Sequence, residues 1–538
     1  MSAIIITILF FFFSVQSFAQ QIPFQVSIEP LNISGLGGVQ AFAWGQHEGK
    51  WLIIGGRLDG LHRRQPFAAF DLAGHNTQLI VVDPVAQKKW SAALSTLPMG
   101  IREQLSSTNM EFFQNEDFLY LVGGYGYSDL LADHTTYPNL TAVRVPEVID
   151  AIINGKSLTS YFRQITDSRF AVTGGYLNKM YETYYLTGGQ KFIGRYNPMG
   201  PDHGSGFVQE YTNAIRKFKI SDDGNTLNVS HLPPIIDSAN LHRRDYNVAP
   251  QIMPSGQEGL TAFSGVFQIN DDLPFLNCVN IDSLGYYVNN NFSQYYNHYH
   301  CAHIPLYSDA NNEMHTIFFG GIAQYYNNEG VLVQDNNVPF VKTIARVTRD
   351  ASGTMVEYKL PIEMPSLLGA GSEFIPAENL PMYNNGVFKM DEFLADTTLV
   401  GYIYGGIGST AENIFFTNTG SQSNASNQIF KVYVVKNSNV GVHEVNFQSR
   451  GTLQMQVYPN PNNGDFKVKF YLKQKAVVNL TITDVNGKVI EKTILSNLEQ
   501  GENYYSKTIK DLINGGIYYL TLETFFEKAT QKIIGTLK

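Results

Sequence analysis

Three histidines fall close together in Tyr295-Tyr296-Asn297-His298-Tyr299-His300-Cys301-Ala302-His303. Neutral imidazole is a common metal ligand, so His298, His300 and His303 are candidates to hold a single metal ion. On a strand, His298 and His300 share one face and His303 points to the other, so a three-histidine site requires a bend or bulge. Aromatic and polar packing along an inner strand is the competing reading. A second group pairs arginine with carboxylate: Arg102-Glu103, His242-Arg243-Arg244-Asp245 and Ser372-Glu373. A guanidinium fork matches a carboxylate or phosphate with two hydrogen bonds, so loops that bring these residues together could hold an anionic ligand. The same pairs could instead tie neighbouring elements to each other.

Other motifs point to local structure. Leu61-His62-Arg63-Arg64 is a second basic spot, read as a solvated loop. Asp222-Asp223-Gly224-Asn225 lacks the downstream bidentate glutamate of a calcium loop and reads as a hairpin turn. No G-x-x-x-x-G-K-[ST] phosphate loop and no G-x-S-x-G elbow occurs, and no cofactor is firmly implied.

The elements that must position these groups are strands. Charged residues make up 16% of the 538, while 47 Gly, 31 Tyr and 35 Phe favour strands and turns, so the expected class is all-β, in two or three domains. A net charge of −9 with no long basic run argues against nucleic acid as a partner. The segment from Gln454 onward carries 11 Lys against 8 Asp and Glu, so its character differs from the rest. Two cysteines, Cys278 and Cys301, permit one bridge or two unpaired thiols.

One pattern recurs along the chain: an apolar strand ending in paired glycines. It occurs at Leu52-Ile53-Ile54-Gly55-Gly56, Tyr120-Leu121-Val122-Gly123-Gly124, Tyr185-Leu186-Thr187-Gly188-Gly189, Phe318-Phe319-Gly320-Gly321 and Tyr402-Ile403-Tyr404-Gly405-Gly406, with a degenerate copy at Thr261-Ala262-Phe263-Ser264-Gly265. A second element lies between these, as in Trp90-Ser91 to Leu97-Pro98, Leu227 to Pro233 and Val356 to Pro361. Phe24 to Leu31 has the same shape and reads as the missing outer strand of the last unit. This grammar resembles kelch repeats. The resemblance implies a six-bladed β-propeller over residues 22–436, with long loops after the glycines on one face and several arginines converging on the central channel. A further pair, Gly174-Gly175, stands just before the third unit's motif and is read as part of its first strand.

The two ends read as transport addresses. Ala3 to Val15 is apolar and is followed by Ser17-Phe18-Ala19, which reads as a signal peptide over residues 1–19. No other segment reaches the length of a membrane span, so no transmembrane segment is expected in the mature chain. Residues 437–453 read as a linker. Residues 454–538 show strand alternation separated by turn signals and are expected to form a small antiparallel β-sandwich. Val457-Tyr458-Pro459-Asn460-Pro461, Gly464, Phe466, Asp484-Val485-Asn486-Gly487-Lys488, Leu512, Gly516-Ile517-Tyr518 and Lys532-Ile533-Ile534 closely resemble the type A sorting domain of type IX secretion. That resemblance implies Bacteroidetes, handling by the outer-membrane secretion machinery, and delivery through the periplasm to the surface or the medium. The functional expectation is a binding protein for a glycan or protein ligand. The alternative is a propeller enzyme acting on carbohydrate, similar to galactose oxidase or to a sialic-acid mutarotase.

Overall fold

The computed structural model describes residues 23–65, 68–198, 207–296, 298–328, 331–436, 445–446, 455–472, 475–484, 488–508, 516–524 and 528–536. The signal-peptide segment, most of the linker, the Asn486-Gly487 turn and Leu512 lie outside the described residues. Strands dominate what is described, and the helices are few and short, chiefly Met99–Leu105 and Val145–Asn154. None is long and apolar enough to cross a membrane.

Six sets of four antiparallel strands follow one another along the chain, and further strands extend the second and the fifth into sheets of seven and six. The first comprises Ala43–His47, Lys50–Ile54, Gln78–Asp83 and Lys88–Ala93; the second Thr108–Asn115, Phe118–Ser128, Asn139–Arg144 and Phe162–Thr166. The third comprises Tyr176–Met180, Thr183–Thr187, Ala214–Asp222 and Leu227–Ile236; the fourth Asn247–Ile252, Glu258–Phe263, Cys278–Ile281 and Tyr286–Asn289. The fifth comprises His303–Ser308, Glu313–Phe319, Thr343–Arg349 and Met355–Glu363. The sixth has Ser372–Pro376, Thr397–Gly405 and Ile429–Lys436, and takes its outer strand, Phe24–Leu31, from the start of the chain.

Side chains alternate faces along a strand, and each face of each sheet is buried against a different neighbour. In the second strand of sheet 1, Leu52 and Ile54 pack with Leu119 and Leu121 of sheet 2, whereas Trp51 and Ile53 pack with Tyr402 and Tyr404 of sheet 6. The other cores join sheets 2 and 3, 3 and 4, 4 and 5, and 5 and 6, so the sheets stack in cyclic order. The Phe24–Leu31 strand puts Phe24 and Val26 into the core shared by sheets 5 and 6.

The glycine pairs are the joints of this stack. Each follows the apolar run of a sheet's second strand, inside Phe118–Ser128 in sheet 2, and places two residues at positive φ, for example +63° at Gly320 and +95° at Gly321. The second glycine amide donates to a carbonyl just before the next sheet: Gly56 to Ser107 (2.9 Å), Gly124 to Val172 (2.9 Å), Gly189 to Arg243 (2.8 Å), Gly321 to Leu368 (3.2 Å) and Gly406 to Val39 (2.9 Å). A Cβ on the first glycine would lie 1.9 Å from the Val172 oxygen at Gly123 and 1.9 Å from the Leu368 oxygen at Gly320. The backbones approach this closely only because the side chain is absent. In sheet 4, Ser264 adopts φ +52° and the link to sheet 5 is made instead by Asn247 Nδ2, which donates to the His298 carbonyl at 2.5 Å.

A second repeated device caps the opposite, outer hairpins. Asp83, Asp223, Asp282 and Asp350 each follow or end the third strand and use Oδ1 to accept two backbone amides of the turn. Such Asx turns fix a short hairpin without a left-handed glycine at its first corner. Asp223 confirms the hairpin expected at Asp222-Asp223-Gly224-Asn225. Both cysteines are buried free thiols, Cys278 against Met355 and Cys301 against Asn247.

The C-terminal segment buries a core of its own. A three-stranded sheet (Met455–Tyr458, Asp465–Leu472, Gly501–Thr508) and a four-stranded one (Ala476–Asp484, Val489–Leu498, Ile517–Glu523, Lys528–Ile534) share Val468, Phe470, Leu480, Ile482 and Leu520. The motif residues join its first and last strands. Asn460 Oδ1 accepts the Ile534 amide at 2.8 Å, Asn460 Nδ2 donates to the Lys532 carbonyl at 2.8 Å, and Gly464 turns at φ +97°. Asp484 Oδ1 accepts the Lys488 amide at 3.0 Å across the hairpin, and the Gly516 carbonyl accepts the Gly535 amide.

Candidate functional site

The segments leading into the six first strands meet at the centre. Ala41 donates to the Gly371 carbonyl (2.8 Å), Asn109 to Ala41 (3.1 Å), Asp245 to Gly174 (2.9 Å) and Gly371 to His300 (2.6 Å). Above this partial ring of amides lies a cavity of about 700 Å³, lined by residues from all six sheets: the lead-in segments form its floor, and the loops after the glycine pairs form its walls. Gly174 belongs to this floor, and Gly175 leads directly into the first strand of sheet 3. A Cβ on Gly174 would sit 2.8 Å from Asp245 Oδ1, and the Gly175 amide donates to Glu111 Oε1 at 2.7 Å.

The walls are largely aromatic. Phe70, Tyr125, Phe192, Tyr196 and Phe207 form one cluster of edge and tilted contacts, for example Phe70 to Tyr125 at 5.1 Å between centroids. Tyr125 hydroxyl locks the neighbouring loop by donating to the Gly194 carbonyl and accepting the Tyr196 amide, both at 2.8 Å. On the other side Phe416, 61% exposed, stands at the mouth with the Arg64 guanidinium 4.7 Å from its ring. Among the described residues Arg64 meets no carboxylate within ion-pair distance.

The cations deeper in the cavity each carry a counter-ion. Arg57 donates to both oxygens of Asp59 at 2.6 Å. Arg244 is paired with Asp245 and donates through Nε to the Tyr211 hydroxyl at 3.0 Å. His300 Nε2 lies 2.9 Å from Glu373 Oε1, and although burial opposes its charge, the hydrogen bond and charge of Glu373 raise its pKa above the ordinary histidine value.

The predicted residues therefore separate. His242, Arg244, Asp245 and His300 line the cavity, with Glu373 behind His300. Arg102 and Glu103 do not line it: residues read as a loop form the helix Met99–Leu105, where Arg102 pairs with Asp129 at 3.1 Å and Glu103 accepts the Asp129 amide at 3.0 Å. Arg243 alternates to the opposite side of the chain from Arg244. It is buried against the Phe275 ring (4.0 Å) and donates to the carbonyls of Asn240, Ser264 and Asn277. Its work is to bind backbone, not an anion. The three-histidine metal site is not assembled, and among the described residues no group of three or more His, Cys, Asp or Glu is placed to hold a metal. His298 stacks on Phe318 and bonds the Gly320 carbonyl at 2.7 Å, while His303 turns to the Cys301 carbonyl at 3.3 Å. The aromatic walls were missed as individual residues. Their signal was the Tyr- and His-rich composition of the long loops.

Buried titratable groups give a pH prediction. Burial, aided at His62 and His75 by neighbouring arginines, lowers His62, His75, His298 and His303 to about 4. Burial also raises Glu111 and Glu357 to about 8. As pH falls from 6.5 toward 4, the unfolded chain gains protons on these histidines that the folded one refuses, so stability falls, and four histidines outweigh two carboxyls there. As pH rises from 6.5 to 8, the folded protein loses the proton of each raised carboxyl, and His300 acts in the same direction. The thermal midpoint is expected to peak near pH 6.5, and Glu357→Gln should flatten the alkaline side. A midpoint climbing steadily to pH 8.5 would contradict this.

Comparison with known proteins adds to the tail. Residues 456–536 match the family described as "Secretion system C-terminal sorting domain". No characterised protein sequence matches the chain. Among solved structures, "Structure of YjhT" aligns over 76% of this chain and 99% of its own at 11% identity and TM-score 0.42. A RAG complex with one melted and one unmelted RSS aligns over 77% and 100% at 12% and 0.34, and the WD40 domain of SCAP from fission yeast over 95% and 98% at 7% and 0.26. At those scores the structural likenesses carry no argument here. The C-terminal segment is a secretion-system sorting domain, and the chain is a substrate for export by type IX secretion to the cell surface or the extracellular space.

Proposed function

We infer that the ring of sheets is a six-bladed, kelch-like β-propeller from a Bacteroidetes-type bacterium, carried outside the cell by a β-sandwich sorting domain, and that it binds a glycan in its central cavity. The observation that supports this best is the cavity itself: about 700 Å³, open at one side, ringed by loops of all six sheets and walled in part by aromatic rings. That volume suits a small ligand or the end of an oligosaccharide, and aromatic faces with a few fixed polar groups suit sugar rings. Its arginines and histidine are mostly neutralised by their own carboxylates, which favours a polar uncharged ligand over the anion expected from Arg102, Arg243 and Arg244.

A glycan array probed with the full-length secreted protein tests this. Wild type should bind a defined set of glycans, and Phe416→Ala, which removes an exposed ring and no core, should weaken that binding by about tenfold without changing thermal stability. Binding to no glycan, or equal binding by Phe416→Ala and by a Tyr196→Ala variant of unchanged fold, would overturn the reading.

A further inference from the structure

We propose that Tyr211, His242, Arg244 and Asp245 form a subsite that recognises a vicinal diol of an uncharged pyranose, an assignment that rests on the central cavity being the ligand site. The four residues come from two segments, the loop after Gly188-Gly189 and the lead-in to sheet 4. Each is fixed by a contact that leaves one polar group over. Asp245 uses Oδ2 for Arg244, while among the described residues no donor meets Oδ1, whose close approach to Gly174 is possible because that residue has no side chain. Arg244 uses Nε for the Tyr211 hydroxyl and Nη1 for Asp245, and among the described residues Nη2 has no partner. The Tyr211 oxygen accepts from Arg244, so its own proton is free to donate.

His242 completes the set. Its ring stacks on Tyr211 at 3.7 Å and 19° between planes. Nδ1 lies 2.8 Å from Asn213 Oδ1, an acceptor, so the proton sits on Nδ1 and Nε2 is left as an acceptor. Burial lowers its pKa, which keeps the ring neutral. The Phe267 ring, 4.9 Å from the Arg244 guanidinium, holds that plane from another side.

The wall thus presents two donors, Arg244 Nη2 and Tyr211 O–H, and two acceptors, Asp245 Oδ1 and His242 Nε2, on rings and forks that cannot easily turn. Two adjacent hydroxyls, each of which donates once and accepts, satisfy that set. A carboxylate only accepts: it would leave both wall acceptors unmatched and would meet the charge of Asp245, whose guanidinium partner is already used. The chemistry therefore selects a neutral sugar over a uronic acid or a phosphate.

Titration calorimetry of the full-length secreted protein with methyl glycosides of glucose, galactose, mannose and glucuronic acid, and with monodeoxy analogues of the tightest binder, tests the assignment. One neutral glycoside should bind. Removing one hydroxyl of a single vicinal pair, or Tyr211→Phe, which keeps the stack on His242, should each weaken it by about tenfold or more, and Asp245→Asn should weaken it without favouring the glucuronide. Preference for the glucuronide over its neutral counterpart would overturn the assignment. So would unchanged affinity in both Tyr211→Phe and Asp245→Asn while Phe416→Ala still binds less, a result that leaves the cavity as the glycan site and places the diol contacts elsewhere in it.

Discussion

Gly320→Ala is expected to destabilise the protein by about 3–5 kcal/mol or to prevent its recovery in folded form. The position combines two independent costs. Its φ of +63° is one that an L side chain rarely adopts, and its Cβ would lie 1.9 Å from the Leu368 carbonyl oxygen of the next sheet. Relieving that contact means separating sheets 5 and 6, which also breaks the hydrogen bond from the Gly321 amide to the same oxygen. Gly285 is the control, since a Cβ there meets nothing within 4 Å and no positive φ is involved; Gly285→Ala should stay within about 0.5 kcal/mol of wild type. Urea unfolding followed by tryptophan fluorescence reads this cleanly, because Trp44, Trp51 and Trp90 all lie in sheet 1 and none in the C-terminal segment. Equal stability of the two variants would show that the glycine joints do not hold the stack together.

Truncation after Leu453 is expected to abolish delivery outside the cell while leaving the ring of sheets folded. The two parts bury separate cores, and that of the C-terminal segment draws on its own strands alone. The sorting-domain match starts at residue 456. In cell fractionation the truncated protein should accumulate in the periplasm with the wild-type tryptophan unfolding transition. The intact chain should be found outside. Normal surface delivery of the truncated form would contradict the role given to the tail.

The repeat was legible because its cause is local. A glycine is required wherever φ is positive and a neighbouring carbonyl occupies the place of Cβ, so Gly55, Gly123, Gly188, Gly320 and Gly405 mark the joints in the sequence itself. The outer strand Phe24 to Leu31 could also be placed, since a strand without a unit and a unit without a strand complement each other. What could not be read was direction. Arg243 and Arg244 are adjacent and chemically alike, yet one is buried against Phe275 and the backbone of sheet 4's own loops while the other lines the cavity. Arg102 was misplaced because a short helix, Met99–Leu105, replaces the loop that was expected there. The histidine cluster failed for a related reason: His298 sits at φ +51° before the strand begins, so the three rings never share a face. Of the four aspartate turns only the one at Asp223 is legible; Asp83, Asp282 and Asp350 are not, because aspartate in a turn is common and only their equivalent places in four sheets make them a pattern.

The proposed glycan site in the cavity above the ring of amides is tested by the crystal structure of the full-length protein with its tightest array ligand. A sugar ring is expected inside the six loops, against Tyr211 and His242 and within reach of Arg244 and Asp245. A glycan bound on the outer strands or on the C-terminal segment, with the central cavity empty, would contradict it.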